Sequence, residues 1–157
     1  MKKVVLPFVF SAGIIAVFAQ PRAIGLHGGF GTEVSYQHSF GDRNMLQIDA
    51  GFPDFNAVQA AGTYNWVFPF SLWKYDGSWN WYAGVGAGVG LSEFKNTYFF
   101  IGPAGMIGVE YNFKFPLQLS LDWRPVVGLF YRKDDTGVAF SWAPTFGVRY
   151  KFRSVNY

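Results

Sequence analysis

Few side chains in this 157-residue chain could do chemistry, and their spacing is the first thing to weigh. There are two histidines and no cysteine. His27 is followed by Glu33 and Ser35, the residue types that activate a hydroxyl nucleophile when they share one pocket. Nothing in the spacing brings them together, so His27 is expected to be an ordinary interior residue. His38 falls on the opposite face. No H-x-x-x-H or H-E-x-x-H occurs, so no transition-metal site is expected. Asp134-Asp135 reads as a solvated loop tip. The glycines at 84, 86, 88 and 90 do not fit G-x-G-x-x-G, since Val89 and Leu91 stand where the pattern needs other residues. No cofactor is expected.

The elements that must position these groups read most clearly from Gly105 to Pro125. Ile107, Val109, Tyr111 and Phe113 alternate with Gly108, Glu110 and Asn112. After Lys114-Phe115-Pro116, Leu117, Leu119, Leu121 and Trp123 alternate with Gln118, Ser120, Asp122 and Arg124. Two period-two runs around a three-residue connection predict a β-hairpin with one apolar and one polar face. Trp79 to Leu91 (WNWYAGVGAGVGL) opposes an apolar face to a face of Asn80, Tyr82 and four glycines, without a charge on either. A soluble barrel needs a water-facing side, and neither face suits. Apolar side chains outward and glycines inward fit a transmembrane strand, the glycines leaving room for bulky side chains from across a narrow barrel.

The start of the chain predicts the compartment. Lys2-Lys3, an apolar run from Val4 to Phe18 and Val17-Phe18-Ala19 have the layout of a signal peptide, with residues 1–19 removed. The run is too short for the roughly 20 residues of a spanning helix. Without Lys2 and Lys3, 11 basic residues face 10 acidic ones, so the mature part carries about +1 and shows no basic stripe for nucleic acid. Aromatics are 21% and charged residues 15%, against a soluble norm near ~25% charged.

Taken in order, the alternation predicts strands in 23–28, 32–40, 45–52, 57–70, 79–91, 98–113, 117–127 and 138–152. No helix-period segment appears, and the short separations require antiparallel pairing. Residues 23–40 split at Gly28–Gly31, because a barrel with both ends on one side needs an even strand number. The expected fold is all-β, an eight-stranded antiparallel up-and-down transmembrane barrel over 20–152, with a short tail at 153–157. Loops at 53–57, 92–98 and 128–137 then share one end. An aromatic girdle is expected from Trp66, Trp73, Trp79, Trp81, Tyr111, Phe113, Trp123, Trp142, Tyr150 and Phe152, and Phe130 falls in the belt at the loop end. Charges on the inner face must pair. The expected lumen network is Glu33, Asp49, Glu110, Asp122, Arg124 and Arg149, with Lys151 beside it, and both arginines on carboxylates.

The hairpin EYNF…PLQLSLDWRP, the strand NWYAGVGAGVG and the closing GVRYKF make the chain resemble small eight-stranded outer-membrane barrels of Gram-negative bacteria, of OmpA/OmpX-like shape. Gly147 to Phe152 is similar to the C-terminal signal read by the outer-membrane assembly machinery, although five residues follow it here. The resemblance implies an exported outer-membrane protein in contact with lipids and lipopolysaccharide, without a periplasmic domain. The implied role is structural or surface-interacting, not enzymatic; since some such barrels modify lipid A or phospholipids, a hydrolase or acyltransferase with His27 in its site is the alternative, and a small pore the weakest one because side chains fill so narrow a barrel.

Overall fold

The computed structural model describes residues 21–41, 43–54, 57–71, 77–92, 98–132, 135–141 and 144–152. Its strands are β1 (Pro21–Gly28), β2 (Thr32–Ser39), β3 (Asn44–Asp54), β4 (Ala57–Phe70), β5 (Gly77–Ser92), β6 (Tyr98–Phe113), β7 (Leu117–Trp123), β8 (Val126–Arg132), β9 (Asp135–Ser141) and β10 (Pro144–Lys151). Neighbours pair antiparallel from β1 round to β7, then β7 with β10 and β10 with β1, which closes the sheet.

Ten strands make eight staves. Ile107 faces Trp123 and Phe99 faces Tyr131 in one unbroken register along β6, so β7 and β8 are two halves of one stave. Likewise Pro144 faces Trp123 and Ser141 faces Val126 in one register, so β9 and β10 form the next. The first break falls at Arg124-Pro125, where proline has no N–H to give a ladder. The chain is thus an all-β protein, a closed eight-stranded antiparallel up-and-down barrel.

The turns follow local chemistry. Gly41 takes a left-handed φ of 81° between β2 and β3, where a side chain would be strained, and Phe40 N donates to Asn44 O at 2.9 Å. Residues 114–116 join β6 to β7. At the opposite end the reading from sequence needs correcting. Residues 128–132 and 135–137, expected in a long charged loop, belong to β8 and β9. Gly128 and Gly137, which read as loop, instead let rings lie flat: a Cβ on Gly137 would meet the Phe130 ring at 2.6 Å. β3 likewise continues through Pro53 to Asp54. The expected signal peptide and tail lie outside the described residues, as do Trp73 and Trp142.

Side chains alternate between lumen and exterior. Outside stand large apolar residues such as Leu26, Val85, Leu121 and Val148. Inside stand Gln47, Asn65, Glu110, Gln118 and Arg149, all 0% exposed. The barrel is polar within and apolar without. Glycine makes room as the sequence implies, mostly for neighbouring staves: the Phe100 ring covers Gly90, and Tyr82 lies against Gly108.

Candidate functional site

The lumen is a column of polar side chains, and it is built from the turn end upward. At the base Glu110 projects from β6 and is buried, so both its oxygens need donors. Oε1 accepts from Asn80 at 2.8 Å and Asn112 at 3.0 Å, and Oε2 from Gln118 at 2.9 Å. The Arg22 guanidinium completes the cage with an ion pair to Oε1. Simple alternation would turn Arg22 away from the lumen, since Ala23, Gly25 and His27 point in. A register shift between Pro21 and Ala23 against β2 brings it inward. Beside it, Lys151 Nζ donates to the Phe113 carbonyl at 2.6 Å.

Arg149 occupies the middle. Its Nε donates to Ser35 Oγ at 2.9 Å, and Nη1 donates to Ser120 Oγ at 2.8 Å and Gln118 Oε1 at 3.1 Å. Nη2 donates to Asp122 Oδ2 at 3.2 Å and lies against His27 Nε2. Asp122 also takes the Tyr82 hydroxyl, the Ser120 hydroxyl at 3.1 Å and His27 Nε2 at 2.9 Å. Donation from His27 to Asp122 requires the proton on Nε2. Its Nδ1 faces Asp49 Oδ1 at 3.5 Å, and neither of these buried atoms makes a hydrogen bond.

Above this, Arg124 spans two staves. Nη2 reaches Glu33 at 2.6 and 2.8 Å, and Nη1 reaches Asp49 Oδ2 at 2.7 Å. Asp49 Oδ2 also accepts from Gln47 at 2.9 Å, whose carbonyl in turn accepts from Gln37 at 3.0 Å. Guanidinium geometry suits such forked contacts, and charge makes them stronger than neutral ones. Over the top the lining turns apolar: Phe100, Ala104 and Val126 pack together with Phe130 against them. Phe130, expected in the outer belt at the loop end, is therefore an inward residue. Its even-numbered position in β8 shares the phase of Val126.

The structure thus brings all six residues expected in a lumen network into one column. Arg124 joins Glu33 and Asp49, Arg149 joins Asp122, and Glu110 stands with Arg22 instead of either arginine named from the sequence. Among the described residues the buried charges are Arg22, Arg124, Arg149 and Lys151 against Glu33, Asp49, Glu110 and Asp122. These four basic and four acidic groups balance one another, so each buried charge has an opposite one within the column.

His27, Glu33 and Ser35 all face the lumen, at 1%, 2% and 0% exposure. Ser35 is engaged by Arg149, and His27 by Asp122. Sequence reading missed Arg22, and it missed Tyr82, Gln118 and Ser120 as partners. The last three were legible in phase, since each alternates with residues placed inward. Arg22 was not, because a bulge carries no periodic signal.

Outside, rings crowd the turn end. Phe68 stacks on Trp81 with centroids 4.4 Å apart, Trp79 lies 4.8 Å from Tyr111, and Tyr111 4.6 Å from Phe113. Tyr150 and Phe152 form a further pair at 5.2 Å. Trp66 lies edge-on to Tyr64 at 5.5 Å, and Trp123 is exposed at 44%. His38 belongs to this outer row, between Tyr36 and Phe40, whose rings bury it.

Fold and lumen together define a closed, internally charged β-barrel of eight staves. No protein-family model, curated protein or solved structure matches the chain.

Proposed function

We propose that this is an integral outer-membrane β-barrel protein, non-enzymatic, with a structural or surface-interaction role and a lumen sealed by its own side chains. The observation that carries the reading is the inversion of polarity. Arg149 is 0% exposed inside the wall while Val85 and Leu121 are 62% and 60% exposed outside it. Water would favour the reverse arrangement, whereas a bilayer rewards an apolar exterior on a barrel whose backbone bonds are closed. The rings crowded at the turn end support the same reading, as amphipathic side chains at headgroup level. Export by the signal peptide, assembly through the C-terminal strand and contact with lipopolysaccharide complete the proposal.

The test is gel mobility of the mature protein from isolated outer membranes, boiled against unboiled. The reading expects a heat-dependent band shift in the membrane fraction. An unshifted band in the soluble periplasmic fraction would refute it. In planar bilayers the inserted barrel is expected to give a flat current trace, since the ion-pair column and the Phe100–Val126 cap both block the axis.

A further inference from the structure

The charges of the lumen balance as a whole but not level by level. At the base, Arg22 and Lys151 stand with one carboxylate, that of Glu110. Above them, among the described residues, Glu33, Asp49 and Asp122 meet two guanidinium groups, Arg124 and Arg149. Three buried carboxylates against two cations leave this upper set one positive charge short, and a buried charge without a counterpart is costly. Lys151 does not make up the difference, since its ammonium donates to the Phe113 carbonyl at the turn end.

His27 lies in the middle of the upper set. Its Nε2 meets Asp122 Oδ2 of β7 at 2.9 Å, and its Nδ1 meets Asp49 Oδ1 of β3 at 3.5 Å. Glu33 is its register partner on β2, Arg149 of β10 lies against Nε2, Arg124 shares Asp49, and the Tyr82 hydroxyl of β5 reaches Asp122. A neutral imidazole has one N–H and one lone pair. With the proton on Nε2, the bare Nδ1 faces the Asp49 carboxylate, acceptor against acceptor, and these are two buried atoms left without a hydrogen bond. With the proton on Nδ1, Arg149 can donate to Nε2, but the same lone pair then faces Asp122. Each neutral form sets one carboxylate against a lone pair. A ring protonated at both nitrogens donates to both. Arg149 opposes that added charge, yet its own guanidinium is already answered by Asp122.

We propose that His27 is a proton-binding site: the folded barrel holds it as an imidazolium that bridges Asp122 and Asp49, the third cation of the upper set. A proton from solvent forms the Nδ1–H bond, and closing the gap by about half an ångström brings that N–H to hydrogen-bond length on Asp49. Asp122 belongs to the Arg149 level and Asp49 to the Arg124 level, so the bridge ties the two levels together. Loss of the proton as pH rises unties them and leaves the upper set with a net negative charge. The bridge requires only the closed lumen, not a bilayer around it.

Nitrogen NMR of the barrel folded in micelles at neutral pH, with isotope-labelled histidine and His38→Gln to leave one ring, reads the site directly. Both ring nitrogens of His27 are expected to show a one-bond coupling to a proton. A single coupled nitrogen would mean a neutral tautomer and would overturn the proposal. Stability gives a second readout. A proton held by the folded barrel and not by the unfolded chain makes stability fall as pH rises. Between about pH 7 and pH 8 a free imidazole is mostly bare. Over that unit the unfolding constant in urea should therefore rise about tenfold more for the wild type than for His27→Gln, checked for an intact heat shift. Parallel pH slopes in the two proteins would likewise overturn it. If the Gln variant does not fold, the ring nitrogens of the unmutated residue still decide.

Discussion

The lower lumen and the upper lumen solve the same problem in opposite ways. Below, Glu110, Arg149 and Arg124 fill the barrel with ions, each held by several donors or acceptors from different staves. Above, Phe100, Ala104 and Val126 fill it by contact alone. An ion network is only as good as its completeness, because a buried charge that loses its partner costs more than the pair contributes. An apolar plug degrades gradually, in proportion to the volume removed. The lower half should therefore be brittle and the upper half forgiving.

The largest expected effect breaks the network at its most connected member. Arg149→Ala strands Asp122 and leaves Ser35, Ser120 and Gln118 short of a donor. Removing one partner of a buried pair costs about 3–5 kcal/mol. Urea unfolding in vesicles, followed by tryptophan emission, should show a loss of that size. The pair Arg149→Met with Asp122→Leu is expected to recover more than half of it, since no bare charge remains. If the double variant is as weak as the single one, the brittleness does not come from stranded charge.

In the upper lumen Phe100→Ala removes the ring that covers Gly90. The expected loss is about 3 kcal/mol, the lower end for a buried phenylalanine, because Phe100 stands near the start of β6, at the end of the barrel. A loss exceeding that of Arg149→Ala would reverse the comparison. Gly90→Ala tests the same contact from the other side. The added methyl would collide with the Phe100 ring and approach Val58 O to 2.8 Å, so a loss of about 1–3 kcal/mol is expected from overpacking. Gly88→Ala, where the nearest atom is Val126 Cγ1 at 3.2 Å, should cost less in the same titration.

This contrast also marks what was legible in the sequence. Strict alternation in 105–125 gives the hairpin, its phase and the inward placement of Glu110, Asp122 and Arg124, because period two admits only two assignments. The glycine-rich strand gives away its inner face by setting four glycines against an apolar row of Trp, Val and Leu. Partner choice is another matter. Whether Arg149 meets Asp122 or Glu110 depends on stagger between distant staves, which alternation within one strand does not encode. Arg22 was hidden by a bulge for the same reason. The extension of β8 to Arg132 and of β9 from Asp135 was hidden by composition, since Arg132-Lys133-Asp134-Asp135 has the look of a loop.

The smallest expected effect lies outside the wall, where neither ions nor a closed interior hold the rings. Phe68 and Trp81 face each other across β4 and β5, with planes 20° apart. Both are about two-fifths exposed, so on the membrane reading lipid can replace much of what either ring loses. A double-mutant cycle of Phe68→Ala and Trp81→Ala, measured by urea unfolding in vesicles, isolates the term lipid cannot replace, the ring-on-ring contact. That coupling is expected at about 0.5–1.5 kcal/mol. A value near zero would mean that acyl chains substitute fully for the stacked partner, and that the girdle acts by seating rings at the interface and not by fastening β4 to β5. A value as large as the loss in Arg149→Ala would mean the opposite of what the lumen teaches, with the barrel held from its greasy outside and not by its charged column.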